Sequence, residues 1–262
     1  MRSPRRIEAP APEALLTAPP LLGADAALFL DFDGTLVDIA ARPDRVVVAR
    51  GLPATLEALV GRLGGAVAIV TGRWLADVDG LLAPAELAGA GLHGAELRDG
   101  RHGHVQVRVV GGIGEIARAL RERFGADPRV LVEDKGAAVA LHYRLAPERA
   151  AECTQALRAA AANWPGLEIV SGKMVIEARG HGSNKGSALR RLAAERPFRG
   201  RVPVFVGDDV TDEDGFAAAA ALGGYGVKVG DGPTCARHRC AGVADVHAWL
   251  TASAECGMAN AE

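Results

Sequence analysis

The 262 residues suffice for one large domain or two modest ones, each with a buried core. Hydrophobic residues make up 49% of the chain and charged residues 24%, a globular balance that excludes wholesale disorder. The formal net charge of -2 gives no global attraction for nucleic acid or an anionic membrane, so neither is expected as a partner.

Taken in order, residues 1–22 open on the basic Met1-Arg2-Ser3-Pro4-Arg5-Arg6 and are interrupted by Pro10, Pro12, Pro19 and Pro20. No continuous apolar segment follows. The stretch therefore reads as a flexible or loosely docked arm, and neither a signal peptide nor a membrane span is expected. Ala27-Leu28-Phe29-Leu30 is an apolar run of strand length that ends in Asp31-Phe32-Asp33-Gly34. Alternate strand residues share a face, so Asp31 and Asp33 can converge at its carboxyl end. An ordinary Asp-Gly turn after a strand would carry the same letters.

Leu52, Leu56, Leu59, Val60 and Leu63 recur at helical steps, with Pro53 suited to the first turn and Gly64-Gly65 to the stop. Ala66–Val70 is a second apolar strand entering Thr71-Gly72-Arg73, Trp74–Leu82 a helix, and Ala88–Leu92 a third strand. The texture then changes. Asp99-Gly100 signals a hairpin, Val105–Val109 alternates as a half-buried strand does, and Ile113–Phe124 is amphipathic. Val130–Glu133 and Ala137–Tyr143 read as strands joined through Asp134-Lys135-Gly136, Glu148–Asn163 as a helix. Leu167–Val170 and Met174–Ala178 read as strands around a Ser171-Gly172 turn. The first texture resumes with a helix at Lys185–Arg196, a strand at Val202–Val206, a helix at Asp212–Leu222, a strand at Tyr225–Val229 and a short helix over 245–254.

Strand-helix-strand alternation requires crossovers, hence a doubly wound parallel α/β sheet. The expected organisation is an arm at 1–22, an α/β core at 23–99 and 180–262, and an inserted α+β domain at 100–179, with a ligand cleft between the last two. Cys153, Cys235, Cys240 and Cys256 form no Cys-x-x-Cys pair, and His238-x-Cys240 matches no zinc spacing. Reduced thiols in a cytoplasmic protein are expected.

The chemistry-bearing residues sit at the strand exits. Thr71 follows the second strand, so its hydroxyl can reach the edge where Asp31 stands; Thr-Gly is also a common strand exit. Lys185 near a helix start opposes the macrodipole by about 0.3–1 kcal/mol, which makes sense if it and the free helix amides face an anion together. In Gly207-Asp208-Asp209-Val210-Thr211-Asp212-Glu213-Asp214 the later residues serve as helix caps, but Asp208 lies against a strand end. Two carboxylates converging there repel unless a cation joins them, and hard oxygen ligands beside a phosphate favour Mg²⁺. Such a group of residues suits phosphoryl transfer. No Gly-x-x-x-x-Gly-Lys-Ser/Thr loop is present.

Asp31-Phe32-Asp33-Gly34-Thr35-Leu36, Thr71-Gly72-Arg73, Lys185 and Gly207-Asp208-Asp209 with Thr211-Asp212 resemble, in order, the four motifs of the haloacid dehalogenase (HAD) superfamily. Leu92–Glu96, Val132–Lys135, Leu141–Arg144, Gly172–Glu177 and Asn184–Gly186 are similar to stretches of its trehalose-6-phosphate phosphatase family. The resemblance runs from about Leu28 to Leu250.

It implies that Asp31 is the nucleophile forming an aspartyl-phosphate and Asp33 the general acid, then base. Mg²⁺ would be held by Asp31, the Asp33 carbonyl and Asp208. Thr71 and Lys185 would hold the phosphate, with Asp212 and Asp209 behind them. The inserted domain would be a cap that closes over the site. Glu133, Lys135 and Glu177 would bind disaccharide hydroxyls, with Arg73, His93 and Arg144 as further substrate contacts. Phe32 departs from the residue relatives often carry and touches no expected role. The resemblance further implies a small sugar phosphate as substrate, and a monomer is expected. The shared core motifs also suit a phosphatase or phosphomutase of another sugar phosphate. A catalytically silent sugar-phosphate-binding protein would be expected to have lost one of the aspartates.

Overall fold

A computed structural model of the chain describes residues 17–256 apart from 41, 102 and 109. Strand β1 (Ala26–Leu30) is buried at every position, and α1 (Leu52–Arg62) follows with Leu52, Leu56 and Leu59 on one buried face. Next come β2 (Val67–Val70), α2 (Leu75–Leu82), β3 (Ala88–Ala90), β4 (Glu96–Leu97) and β5 (Gln106–Val107). The middle of the chain forms α3 (Ile113–Phe124), β6 (Leu131–Asp134), β7 (Ala138–His142), α4 (Ala150–Ala161), β8 (Leu167–Gly172) and β9 (Val175–Gly180). The chain ends in α5 (Lys185–Ala193), β10 (Val202–Gly207), α6 (Glu213–Ala221), β11 (Tyr225–Val229), β12 (His238–Cys240) and α7 (Val243–Glu255).

Six strands make one wholly parallel sheet in the order β12-β11-β10-β1-β2-β3. The chain steps outward from β1 to β2 and β3, then returns to place β10 on the other side of β1. That reversal opens a crevice at the carboxyl ends of β1 and β10, where ligands of open α/β sheets bind. Near-continuous apolar strands such as Ala-Ala-Leu-Phe-Leu are what a sheet covered on both faces requires. Helices α1 and α7 pack as one pair and α5 and α6 as another.

The inserted segment has a separate four-stranded antiparallel sheet, β6-β7-β9-β8. Its own core sets Ile113, Ile116, Leu120 and Phe124 of α3 and Leu157 of α4 against Val139, Leu141, Ile176 and Ala178. Helix α3 begins at Gly112, whose φ of +93° favours glycine, and any Cβ there would lie 2.2 Å from Trp164 Cδ2. A small third cluster joins the two parts: Leu92 and Ala95 meet Ala137, with Trp74 packed beside them.

Four expectations are modified. Residues 17–22 are docked: Thr17 bridges to His238, Trp249 Nε1 donates to the Pro20 carbonyl at 2.8 Å, and Leu22 is buried. The rest of the arm lies outside the described residues. Of the alternation at 105–109 the described residues form only β5, both of whose residues are exposed, and Val109 lies outside the described residues. The turn between β8 and β9 falls at Lys173-Met174, two residues later than Ser171-Gly172, with Met174 at φ +63°. Strand β12 went unforeseen because His238-Arg239-Cys240 has no apolar run; parallel pairing with β11 makes it a strand. Among the described residues no helix is long and apolar enough to cross a membrane.

Candidate active site

Strand β1 delivers Asp31 to the crevice almost wholly buried, and Lys185 Nζ donates to its Oδ1 at 2.6 Å. The same ammonium reaches Asp212 Oδ1 at 2.6 Å, while Thr35 Oγ1 donates to Asp31 Oδ2 at 3.2 Å. Oxygens of Asp31, Asp208 and Asp212 lie within 4.8 Å of one another. Lys185 thus bonds two of the three carboxylates, and Asp208 stands beside them with no hydrogen bond to that ammonium. Burial, and after it Asp212 and Asp208, hold the Asp31 carboxyl well above the usual range even against Lys185. Burial and the Asp212 charge push Asp208 up to about 6. Burial works against a charged Lys185, but Asp212 and Asp31 outweigh it and hold the ammonium above its ordinary value. Such a surplus of hard anionic oxygen is what a divalent cation such as Mg²⁺ neutralises.

Gly34 makes the crowding possible. At φ +80° it lies so close to Asp208 that a Cβ would fall 2.2 Å from Oδ2. Asp33 also stands at this edge, but its carboxylate is clamped by Arg73, with Nε to Oδ2 and Nη2 to Oδ1 both 2.7 Å. Arg73, expected to face substrate, thus holds Asp33, and its guanidinium carbon sits 5.5 Å from the centroid of Phe32. Phe32 therefore does touch a site residue. Thr71 is buried at the exit of β2, and its Oγ1 accepts from Arg73 N at 3.2 Å.

The start of α5 differs from expectation. Asn184 caps it, accepting from Ser187 N at 2.7 Å, while the charge of Lys185 is met by carboxylates. Asp209 and Asp212 form a reciprocal cap, with Asp209 N donating to Asp212 Oδ2 at 2.9 Å. Asp212 thus spends one oxygen on its own turn and the other on Lys185, and Asp209 acts as a cap that also lines the cavity.

The antiparallel sheet faces this cluster across a cavity of about 540 Å³, lined by Asp31, Asp33, Lys185 and Asp208 on one side and Glu133, Lys135 and Arg144 on the other. Lys135 Nζ donates to Glu177 Oε2 at 2.9 Å and to the Gly72 carbonyl at 3.0 Å. Glu177, expected to bind sugar, is buried behind Lys135 and takes no part in the cavity wall. Burial opposes its charge, yet Lys135 and His93 bring its pKa down to about 2. His93 has left-handed backbone, φ +53°, and its Nε2 lies 3.5 Å from Glu177 Oε1. Burial lowers its pKa to about 3, so the imidazole is neutral and the approach is no ion pair. His93 Nδ1 and Glu177 Oε1 have no hydrogen-bond partner among the described residues. Arg144 spans two regions, donating to the Ala40 and Lys173 carbonyls at 3.3 Å each.

His142 was not among the expected residues. It lines the cavity and meets Glu133 Oε2 at 2.7 Å. The signal for it was the hairpin: in a β6-β7 pair Glu133 lies opposite Ala140, leaving His142 diagonal to it.

Comparison with known proteins fits this geometry. The family model described as trehalose-phosphatase matches residues 29–243. The chain is 41% identical over 236 residues to a trehalose-6-phosphate phosphatase of Escherichia coli (strain K12), covering 90% of this chain and 89% of that protein. A crystal structure of a trehalose-6-phosphate phosphatase related protein superposes with a TM-score of 0.76 at 29% identity, covering 88% of this chain and 98% of the other. A haloacid dehalogenase-like hydrolase from B. subtilis shares the fold, with a TM-score of 0.61 at 15% identity over 87% of this chain and 99% of that one.

Proposed function

The chain belongs to the trehalose-phosphatase family, a set of phosphoric monoester hydrolases of HAD-like fold, and we infer that it cleaves trehalose 6-phosphate to trehalose and phosphate with Asp31 as nucleophile. The observation that carries the reading is the convergence of Asp31, Asp208 and Asp212 on one another at the sheet's switch point, with Lys185 bonded to Asp31 and Asp212.

An Asp31 oxygen attacks phosphorus in line, the bond from phosphorus to the sugar oxygen breaks, and Asp33 gives that oxygen a proton. Asp33 then takes a proton from water, whose oxygen attacks the aspartyl-phosphate, and the bond from phosphorus to Asp31 breaks. Arg73 occupies both Asp33 oxygens, so one of those two contacts has to be released for the transfer to the sugar oxygen. Lys185 and Thr71 hold phosphate oxygens. Asp31, Asp208 and the Asp33 carbonyl would hold Mg²⁺, which would offset the negative charge of phosphate and carboxylates. Asp212 fixes Lys185.

We place the core at 23–99 and 180–262 and the cap at 100–179, with Glu133, Lys135 and Arg144 on the sugar side and Glu177 and His93 supporting Lys135. Four unbonded cysteines agree with a cytoplasmic location, and a monomer contains every group the mechanism uses. Phosphate release should be measured over a panel of sugar phosphates with Mg²⁺ and with chelator. A clear preference for trehalose 6-phosphate, lost on chelation, is expected; equal rates across the panel would refute the substrate.

A further inference from the structure

Strand β11 carries a lysine where its neighbours are apolar. Lys228 lies between the buried Val227 and Val229 and is itself only 6% exposed. Lysine is almost never so buried without a charged partner. Among the described residues no carboxylate forms an ion pair with it. Asp38 and Asp231 line the same small cavity, yet Nζ makes its hydrogen bonds to two carbonyls, those of Asp208 and Val229. Taking an ammonium out of water for carbonyl acceptors is costly, and the charge of the Asp208 carboxylate, which Lys228 meets through space and not in an ion pair, offsets that cost in part.

The acceptor explains the placement. Lys228 sits beside Gly207 in the parallel register of β10 and β11, so its side chain reaches the next peptide, that of Asp208. No hydrogen bond from the described residues holds the Asp208 carboxylate itself. Its aim toward Asp31 and Asp212 depends on the backbone, with Gly34 crowding one side. We propose that Lys228 is a positioning residue for the metal site: by gripping the Asp208 carbonyl it fixes the peptide that points the Asp208 carboxylate at the cation. This rests on Asp208 being a metal ligand, as proposed above.

The test is direct binding of Mn²⁺ to the full-length protein by calorimetry, with no substrate present, for wild type, Lys228→Met, Lys228→Arg and Asp208→Asn. Groups that orient a ligand typically contribute about 10–100-fold to metal affinity. Lys228→Met should bind Mn²⁺ at least about 10-fold more weakly, Lys228→Arg should recover most of the loss, and kcat of Lys228→Met should return at saturating Mg²⁺ with KM for the sugar phosphate unchanged. Where Lys228→Met gives no cooperative melt, Lys228→Gln, which stays polar but ends one bond short of the position of Nζ, takes its place with the same expectation. Wild-type affinity in the folded variant, with only a lowered melting temperature, overturns the proposal. Unchanged affinity in Asp208→Asn refutes instead the metal-ligand reading beneath it.

Discussion

Asp31 shows how far one residue can be strained for chemistry. Its carboxylate is buried among like charges, so a neutral isostere should suit the cation-free protein at least as well as the native acid. Asp31→Asn is expected to lower turnover by about 10⁴-fold or more, while in chelator it melts at or above the wild-type temperature. Appreciable retained activity would remove the nucleophile assignment. His93 and Glu177 both contribute stability that is lost in acid. An unfolded histidine binds its proton near pH 6.5, but the folded His93 does so only near 3, so between those values the unfolded chain holds more protons and stability falls as pH falls. Glu177 adds to the loss from its ordinary 4.5 down to about 2. Raised Asp208 and Asp31 act with the opposite sign over part of that range, so the check is a difference: between pH 6.5 and about 3 the melting temperature of His93→Gln should fall less than that of the wild type. A pH dependence identical to that of the wild type would show that His93 makes no such contribution. Residues at this scale were legible where a strand exit supplied their position, as for Asp31, Thr71 and Asp208. They were not where the partner comes from far along the chain: Lys135, 42 residues away from Glu177, withdraws it from the cavity wall.

Elements were legible in proportion to the apolar face they bury. Helix α3 could be read from Ile113, Ile116, Leu120 and Phe124 alone, and it covers the antiparallel sheet with that stripe. Strand β12 has no such face and exists only by pairing, while β5 keeps two residues of the alternation, both exposed. The core under α3 shares no residue with the core around β1. Leu120→Ala should therefore cost about 2–5 kcal/mol in the inserted segment and leave the parallel sheet untouched. Urea unfolding followed at Trp164 is expected to shift to lower denaturant, with hydrogen exchange in β1 and β10 unchanged. Matching losses in both sheets would mean that the two cores unfold as one.

At the scale of the molecule, Lys135 is one of the groups through which the inserted segment meets the core. It belongs to the inserted segment, donates to the Gly72 carbonyl beside Thr71, and neutralises the buried Glu177. Removing it alone leaves a buried carboxylate without its cation, a loss of about 3–5 kcal/mol, whereas apolar replacement of both partners is often close to neutral. Lys135→Met should accordingly be strongly destabilised, and Lys135→Met with Glu177→Leu should recover much of that stability. Recovery of stability need not bring recovery of recognition. If Lys135 reads the sugar, both variants should lose kcat/KM for trehalose 6-phosphate while keeping that for p-nitrophenyl phosphate, which has no sugar to read. A double variant as unstable as the single would show that the unpaired charge is not the cause. Parallel losses on both substrates would place Lys135 with the catalytic groups of the core instead of the sugar site. The two measurements separate what this pair does for the stability of the fold from what it does for the ligand.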